Sequence, residues 1–312
     1  MMRVFVGIDI SKRALDVVVR PTGEYTGHTH DAAGIATLVE QMRSLSPERI
    51  VMEATGGYER NVAQALGDAR LPVVVINPRQ ARDFAGALGQ RAKTDRVDAG
   101  VLAHFAEAVQ PQPRALPTPQ ARDLEALSTR RAQVVEMITA EKNRLGMAAA
   151  ALQPRIREHI SFLEQEREAL EGELDAFIST DPQWDARAKL LQSTPGVGPQ
   201  TARALVALLP ELGELSMRAV AALVGVAPYT RESGRYKGQR RISGGRADVR
   251  TALYMATFSA VRCNSVMRAH YKQLRARGKL FKVAMVACMR KLIGILNTMV
   301  TLNSLPRARN CL

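Results

Sequence analysis

A chain of 312 residues, 46% hydrophobic and 24% charged, has material for two cored domains and a connecting element. Its first apolar run, VFVGI, meets Asp9 at once, so it does not read as a signal peptide, and no apolar run reads as long enough for a membrane span. The net charge of +14 is concentrated: residues 228–312 hold 18 Lys/Arg against 2 Asp/Glu, while residues 1–110 hold 13 of each and residues 111–227 hold 13 against 15.

Clustered cations without acids point to a polyanionic partner, because they release counterions from a phosphate backbone. The three cysteines, Cys263, Cys288 and Cys311, are far apart and odd in number, with no metal-ligand or disulfide spacing. That pattern points to a reducing cytoplasm, with the first two as buried thiols.

In chain order, RVFVGIDIS and ALDVVVRP are β-branched runs that read as paired strands, and EYTGHTHD reads as a weaker third. GIATLVEQMRSL has helical periodicity, and RIVMEAT is a strand ending at the turn pair Gly56-Gly57. ERNVAQALGDA is helical, LPVVVINP reads as a buried strand, and helices continue through Glu107. Three leading strands followed by strand–helix alternation predict an α/β, RNase H-like domain over residues 1–110.

The prolines of QPQPRALPTPQ mark a linker, and from Asp123 the chain becomes long charged helix, a spacer spanning 111–185. Leu124, Leu127, Val134, Ile138 and Leu145, then Leu163, Leu170, Leu174 and Phe177, keep three-or-four spacing, and Pro154 divides the run in two. Arg131, Lys142 and Arg167 fall on the same seam. An antiparallel hairpin and a coiled-coil dimer both satisfy this pattern.

Residues 186–312 read as a mostly helical region. In STPGVGPQTARALVALLPEL, Pro-Gly-Val-Gly stands between two helices like the turn of a helix-hairpin-helix, where Gly196 and Gly198 would let backbone N–H groups approach a phosphate. MRAVAALVGVAPYT, a basic loop and two amphipathic helices, roughly 249–262 and 282–302, follow.

Four carboxylates stand out. Asp9 follows the first strand, with Gly7 leaving room beside it, and Glu53 lies in a strand predicted to be mostly buried, where an unpaired carboxylate is costly. In KTDRVDAGVLAHF, Asp95 and Asp98 are three apart at a helix start and share a face, with Lys93 beside them to offset charge or touch phosphate. Singly, each has an ordinary reading as a strand end, a cap or an ion pair. Together they fit a phosphoryl-transfer site whose hard oxygen ligands suit Mg²⁺ or Mn²⁺, two such ions flanking an in-line displacement.

GIDISK, MEATGGY and KTDRVDAG, then a helical spacer, TPGVG and RRISGGRADVR, resemble the DEDD transposases of the IS110 insertion sequences, with the Piv site-specific invertases as relatives. The resemblance runs from about residue 4 to 302. It implies a RuvC-like catalytic domain whose acidic, metal-binding tetrad is Asp9, Glu53, Asp95 and Asp98. It also implies a C-terminal transposase domain whose basic loop carries a serine nucleophile, here Ser243. The implied reaction joins that serine covalently to a DNA strand and frees a 3′ hydroxyl, under the guidance of a structured non-coding RNA. No local base flanks Ser243, so activation would have to come from the distant carboxylates in a composite site. Gly244 and Gly245 would let the backbone approach the phosphate, with Lys237, Arg240, Arg241, Arg246 and Arg250 around it. DNA, a guide RNA and further copies of the chain are the expected partners, with no membrane. The competing readings are a RuvC-like nuclease using water, a silent DNA-binding protein, and a sugar-kinase-like ATPase.

Overall fold

The computed structural model describes residues 3–90, 92, 94–113, 116–230, 232–234, 236–238 and 240–302, with only the main chain of Tyr236 and Lys237. It divides into two compact units, residues 1–117 and 118–312.

In the first unit β1 (Phe5–Ile10), β2 (Ala14–Arg20) and β3 (Tyr25–Thr29) form an antiparallel meander. Then follow α1 (Ala32–Leu45), β4 (Arg49–Glu53), α2 (Glu59–Asp68), β5 (Val73–Ile76), α3 (Pro78–Ala87) and α4 (Asp95–Val109). The sheet order is β3-β2-β1-β4-β5, with β4 parallel to β1 and β5 parallel to β4. This is the RNase H-like α/β arrangement that the order of the runs predicts. LPVVVINP forms the edge strand β5, in which Val73 and Ile76 are buried as expected and Val75 is 36% exposed.

Strand alternation sorts the core into two layers. Val6, Ile8, Leu15, Val17 and Val19 pack under Leu38 and Met42 of α1 and Val62 and Leu66 of α2. On the other face, α4 lies against β1 at Gly7. A Cβ there would stand 2.1 Å from the Ala99 carbonyl oxygen and 2.2 Å from the Ala103 nitrogen, so only glycine allows this approach. A Gly7→Ala protein should lose about 3 kcal/mol, since overpacking against backbone leaves nothing soft to yield. The loss would be read from the urea midpoint, and an unchanged midpoint would contradict the close contact.

The second unit opens with α5 (Pro119–Met147) and α6 (Gln153–Thr180), with Pro154 in the first turn of α6, where its missing N–H costs nothing. Arg131 pairs with Glu171 at 2.8 Å and Lys142 with Glu164 at 2.7 Å, a register that makes the two helices an antiparallel hairpin within the chain. Val134, Ile138, Leu163 and Leu170 are buried between them. The seam is thus consumed intramolecularly and does not offer the self-association surface expected of a coiled-coil dimer. Leu124, Leu174 and Ile178 join the main helical core, so the foot of the hairpin belongs to the second unit.

That core also contains α7 (Pro182–Gln192), α8 (Pro199–Leu208) and α9 (Met217–Val224). Four two-residue strands follow: β6 (Pro228–Tyr229), β7 (Glu232–Ser233), β8 (Tyr236–Lys237) and β9 (Arg241–Ile242). Three helices close the unit: α10 (Ala247–Cys263), α11 (Ser265–Ala276) and α12 (Phe281–Leu302). By length and composition α12 could cross a membrane, contrary to the sequence expectation. Met285, Cys288, Leu292, Ile293 and Leu296 are buried in the helical core, which accounts for its apolar character. Cys288 is buried as expected, Cys263 is exposed against expectation, and Cys311 lies outside the described residues.

Candidate active site

Asp9 is the fifth residue of β1, two beyond Gly7, so both face α4. The first turn of α4 carries Asp95 and Asp98, and the Thr94 side chain caps it by accepting the Val97 N–H at 3.3 Å. The parallel register of β1 and β4, Ile8 opposite Met52, brings Glu53 to the same end of the sheet. Gly7 thereby links sequence to site, because the close approach of α4 is what carries its acidic turn to Asp9.

The electrostatics report the same convergence. The Asp9 carboxyl is pushed up to about 6, by burial first, then by Asp98 and Asp95, with a smaller push from Glu53; a main-chain hydrogen bond at Ile10 opposes them. A half-buried carboxylate among three others is costly without a cation, and four hard oxygen donors suit Mg²⁺ or Mn²⁺. The donor chemistry therefore fits a divalent ion. The spacing is more open than a closed shell: among the described residues, no three His, Cys, Asp or Glu stand close enough to hold one as they are.

Sequence reasoning missed what surrounds Asp9. Asp16 on β2 is its cross-strand partner and only 7% exposed. The Tyr25 hydroxyl donates to Asp16 Oδ1 at 2.5 Å, and the Arg96 guanidinium lies 5.1 Å from the centre of the Tyr25 ring. Arg96 stands between Asp95 and Asp98, so this contact ties the acidic turn to β3. The available signal was the hairpin register, which sets Asp16 opposite Asp9. Beyond Glu53, the Glu59 carboxylate accepts the Thr55 and Gly57 N–H groups at 2.9 and 3.0 Å and shapes the ATGGY loop. Lys93 lies outside the described residues.

Ser243 belongs to the second unit, exposed directly after β9, which pairs with β6. Gly244 and Gly245 follow with φ of 67° and 77°, a left-handed turn that glycine adopts without strain. Gly245 packs on Gly225, whose nitrogen a Cβ at 245 would meet at 2.3 Å. Two of the expected phosphate ligands have other work. Arg246 donates to both carboxylate oxygens of Glu211 at 2.7 and 2.6 Å and to the Leu208 carbonyl at 2.8 Å, anchoring the loop to the turn after α8. Arg250 donates to the Gly244 carbonyl at 2.7 Å. Arg240 and Arg241 are exposed, and the Lys237 side chain lies outside those described.

The Pro-Gly-Val-Gly turn separates α7 from α8 as expected, but its glycines differ. Gly196, at φ 99°, is pressed on α10, where a Cβ would stand 2.5 Å from the Ala260 Cα, so it serves helix packing rather than phosphate approach. Gly198 is the exposed N-cap of α8, with open space around its Cα.

Residues 6–152 match the DEDD-type IS110 transposase family, and residues 188–272 match the family described as "Transposase IS116/IS110/IS902 family". The two matches hold the acidic cluster and the serine loop respectively. This chain belongs to the IS110 family of DEDD transposases. Among its IS110-type relatives is the pilin gene-inverting protein of Moraxella lacunata, 25% identical over 308 residues, 95% of each chain. Its counterpart from Moraxella bovis is 26% identical over 311 residues, again 95% of each chain. A Thermus thermophilus RuvC structure aligns with 36% of this chain and 99% of its own, at 17% identity and a TM-score of 0.26. As a family member, the chain is a transposase, with an α/β first unit and a mostly helical second one.

Proposed function

We propose that this transposase cuts and rejoins DNA with a divalent metal held by Asp9, Glu53, Asp95 and Asp98 and with Ser243 as nucleophile, under the guidance of a structured RNA. The observation that carries the reading is the convergence on Asp9 of three further carboxylates, a charge excess that a cation would relieve. When bound, Mg²⁺ or Mn²⁺ supplies charge stabilisation at the transferring phosphoryl group.

The residues of the chain divide the remaining work. The Ser243 oxygen forms a bond to phosphorus as the bond from phosphorus to the 3′ oxygen breaks; the serine gives up its proton and the departing oxygen gains one. Attack by a new 3′ hydroxyl on the phosphoserine reverses these changes and restores Ser243. Arg240 and Arg241 meet the phosphate, while Arg246 and Arg250 hold the loop in shape. The segment 228–312, with 18 Lys/Arg and 2 Asp/Glu, supplies the charge for a guide RNA as well as DNA. Exchange between two DNA partners calls for at least two copies of the chain, associating through surfaces other than the buried hairpin seam.

The test is strand cleavage of DNA bearing the element's ends by purified protein, with any copurified RNA sequenced. Cleavage should require Mg²⁺ or Mn²⁺ and vanish in chelator. Unimpaired cleavage in chelator would refute the metal site, and random cellular RNA alone would refute the guide.

A further inference from the structure

The second unit manages charge in two contrasting ways. On the α5–α6 hairpin, cations meet acids: Arg131 on Glu171, Lys142 on Glu164, Arg144 on Glu141. Past Asp248 the chain contains no Asp or Glu at all. There α11 turns Met267 into the core, with Tyr271 and Leu274 packed against it, and the Asn264 side chain caps it by accepting the Val266 and Met267 N–H groups at 3.0 and 3.2 Å. This fixes the roll of the helix. The flank about 100° round from the Met267 face carries Arg268, Lys272 and Arg275, with Lys279 beyond the helix end, all exposed. Arg268, Lys272 and Arg275 are four and three residues apart and so lie along one line of α11, while Lys279 follows Gly278, whose φ of 76° ends the helical path. Among the described residues none of them makes an ion pair. Like charges at this spacing destabilise a helix, a cost that the dipole at its C-terminal end relieves only near Arg275. The Arg268 guanidinium donates to the Arg262 carbonyl and the Arg275 guanidinium to the Lys279 carbonyl, the latter at 2.7 Å, which orders both ends of the row.

From this row we infer a DNA-binding surface separate from the serine loop: Arg268, Lys272, Arg275 and Lys279 track the phosphate backbone of duplex DNA. The inference rests on the recombinase reading and deepens it, because Arg246 of the loop, expected on phosphate, is instead held by the Glu211 carboxylate. Duplex DNA suits the row better than unpaired RNA. Single strands are held by stacking aromatics, whereas Tyr271 of this helix is half-buried, its ring edge-on to Phe281 at 6.5 Å. A line of cations without base-reading side chains positions the duplex and leaves sequence choice to other parts.

The experiment compares the full-length protein with two variants in a salt series of duplex binding, followed by fluorescence anisotropy. One variant carries Arg268→Gln, Lys272→Gln, Arg275→Gln and Lys279→Gln. The other removes the same charge from the hairpin by Arg130→Gln, Arg144→Gln, Arg155→Gln and Arg157→Gln. All eight positions are exposed, and circular dichroism with thermal melting checks that both variants fold. The α11 variant should bind at least about tenfold more weakly at low salt, with a slope of log K against log salt flatter by about 3. The hairpin variant should match wild type. Equal weakening in both variants would reduce the effect to net charge and overturn the proposal, as would unchanged binding by the α11 variant. Loss of structured RNA with duplex binding intact would overturn the assignment to DNA. Wild-type protein that binds no DNA would instead defeat the recombinase reading itself.

Discussion

An Asp9→Asn protein should fold, gain stability in the absence of metal, and lose DNA strand cleavage by on the order of 10³-fold or more. The substitution barely changes volume, so the packing of α4 on Gly7 survives. It removes one charge from a site where burial, Asp98, Asp95 and Glu53 all disfavour the carboxylate. The sign of the stability effect follows from the raised pKa. The folded protein holds the Asp9 proton up to about 6, against 3.8 for an ordinary aspartate, so stability is fully present below the lower value and is lost as pH rises through the upper one. With partial exposure allowed for, the loss is about 1–2 kcal/mol. Urea unfolding in chelator between acid and neutral pH should show this decline for wild type and a smaller one for Asp9→Asn. A variant less stable than wild type at neutral pH without metal, or one that cleaves normally, would contradict the acidic site.

Much of the first unit was legible because its signals are local. β-Branched runs marked the meander, Gly7 marked the room beside Asp9, and the three-residue spacing of Asp95 and Asp98 placed both in one helical turn. What escaped depends on partners distant in sequence. Arg246 beside Ser243 looks like a phosphate ligand until Glu211, 35 residues upstream, is found in its fork. Gly196 looks like a phosphate turn until Ala260 is found against it. The seam on α5 and α6 has the same spacing whether its partner is the same chain or another, and only the folded register decides. Asp16 and Tyr25 needed the strand pairing before either could be placed beside Asp9. The helix α11 was passed over because only Met267, Tyr271 and Leu274 mark its inner face.

Ser243→Ala should abolish recombination while leaving metal binding, folding and DNA affinity near wild type. Ser243 is exposed after β9, and the Gly225–Gly245 contact and Arg246 on Glu211, which hold the neighbouring turn, do not involve its hydroxyl. A hydroxyl that merely contacted the charged phosphate would contribute about 1.5–3 kcal/mol, roughly a ten- to hundredfold change. A nucleophile has no substitute, and its loss should cost activity to the detection limit. Asp9→Asn should fail as well, but with weakened Mn²⁺ binding that Ser243→Ala does not share. The deciding measurement is a denaturing gel of the protein incubated with end-labelled DNA and Mg²⁺. A labelled band that travels with wild-type protein, resists denaturation and is absent from Ser243→Ala is the predicted result; cleaved DNA with no such band, or efficient recombination by Ser243→Ala, would contradict it.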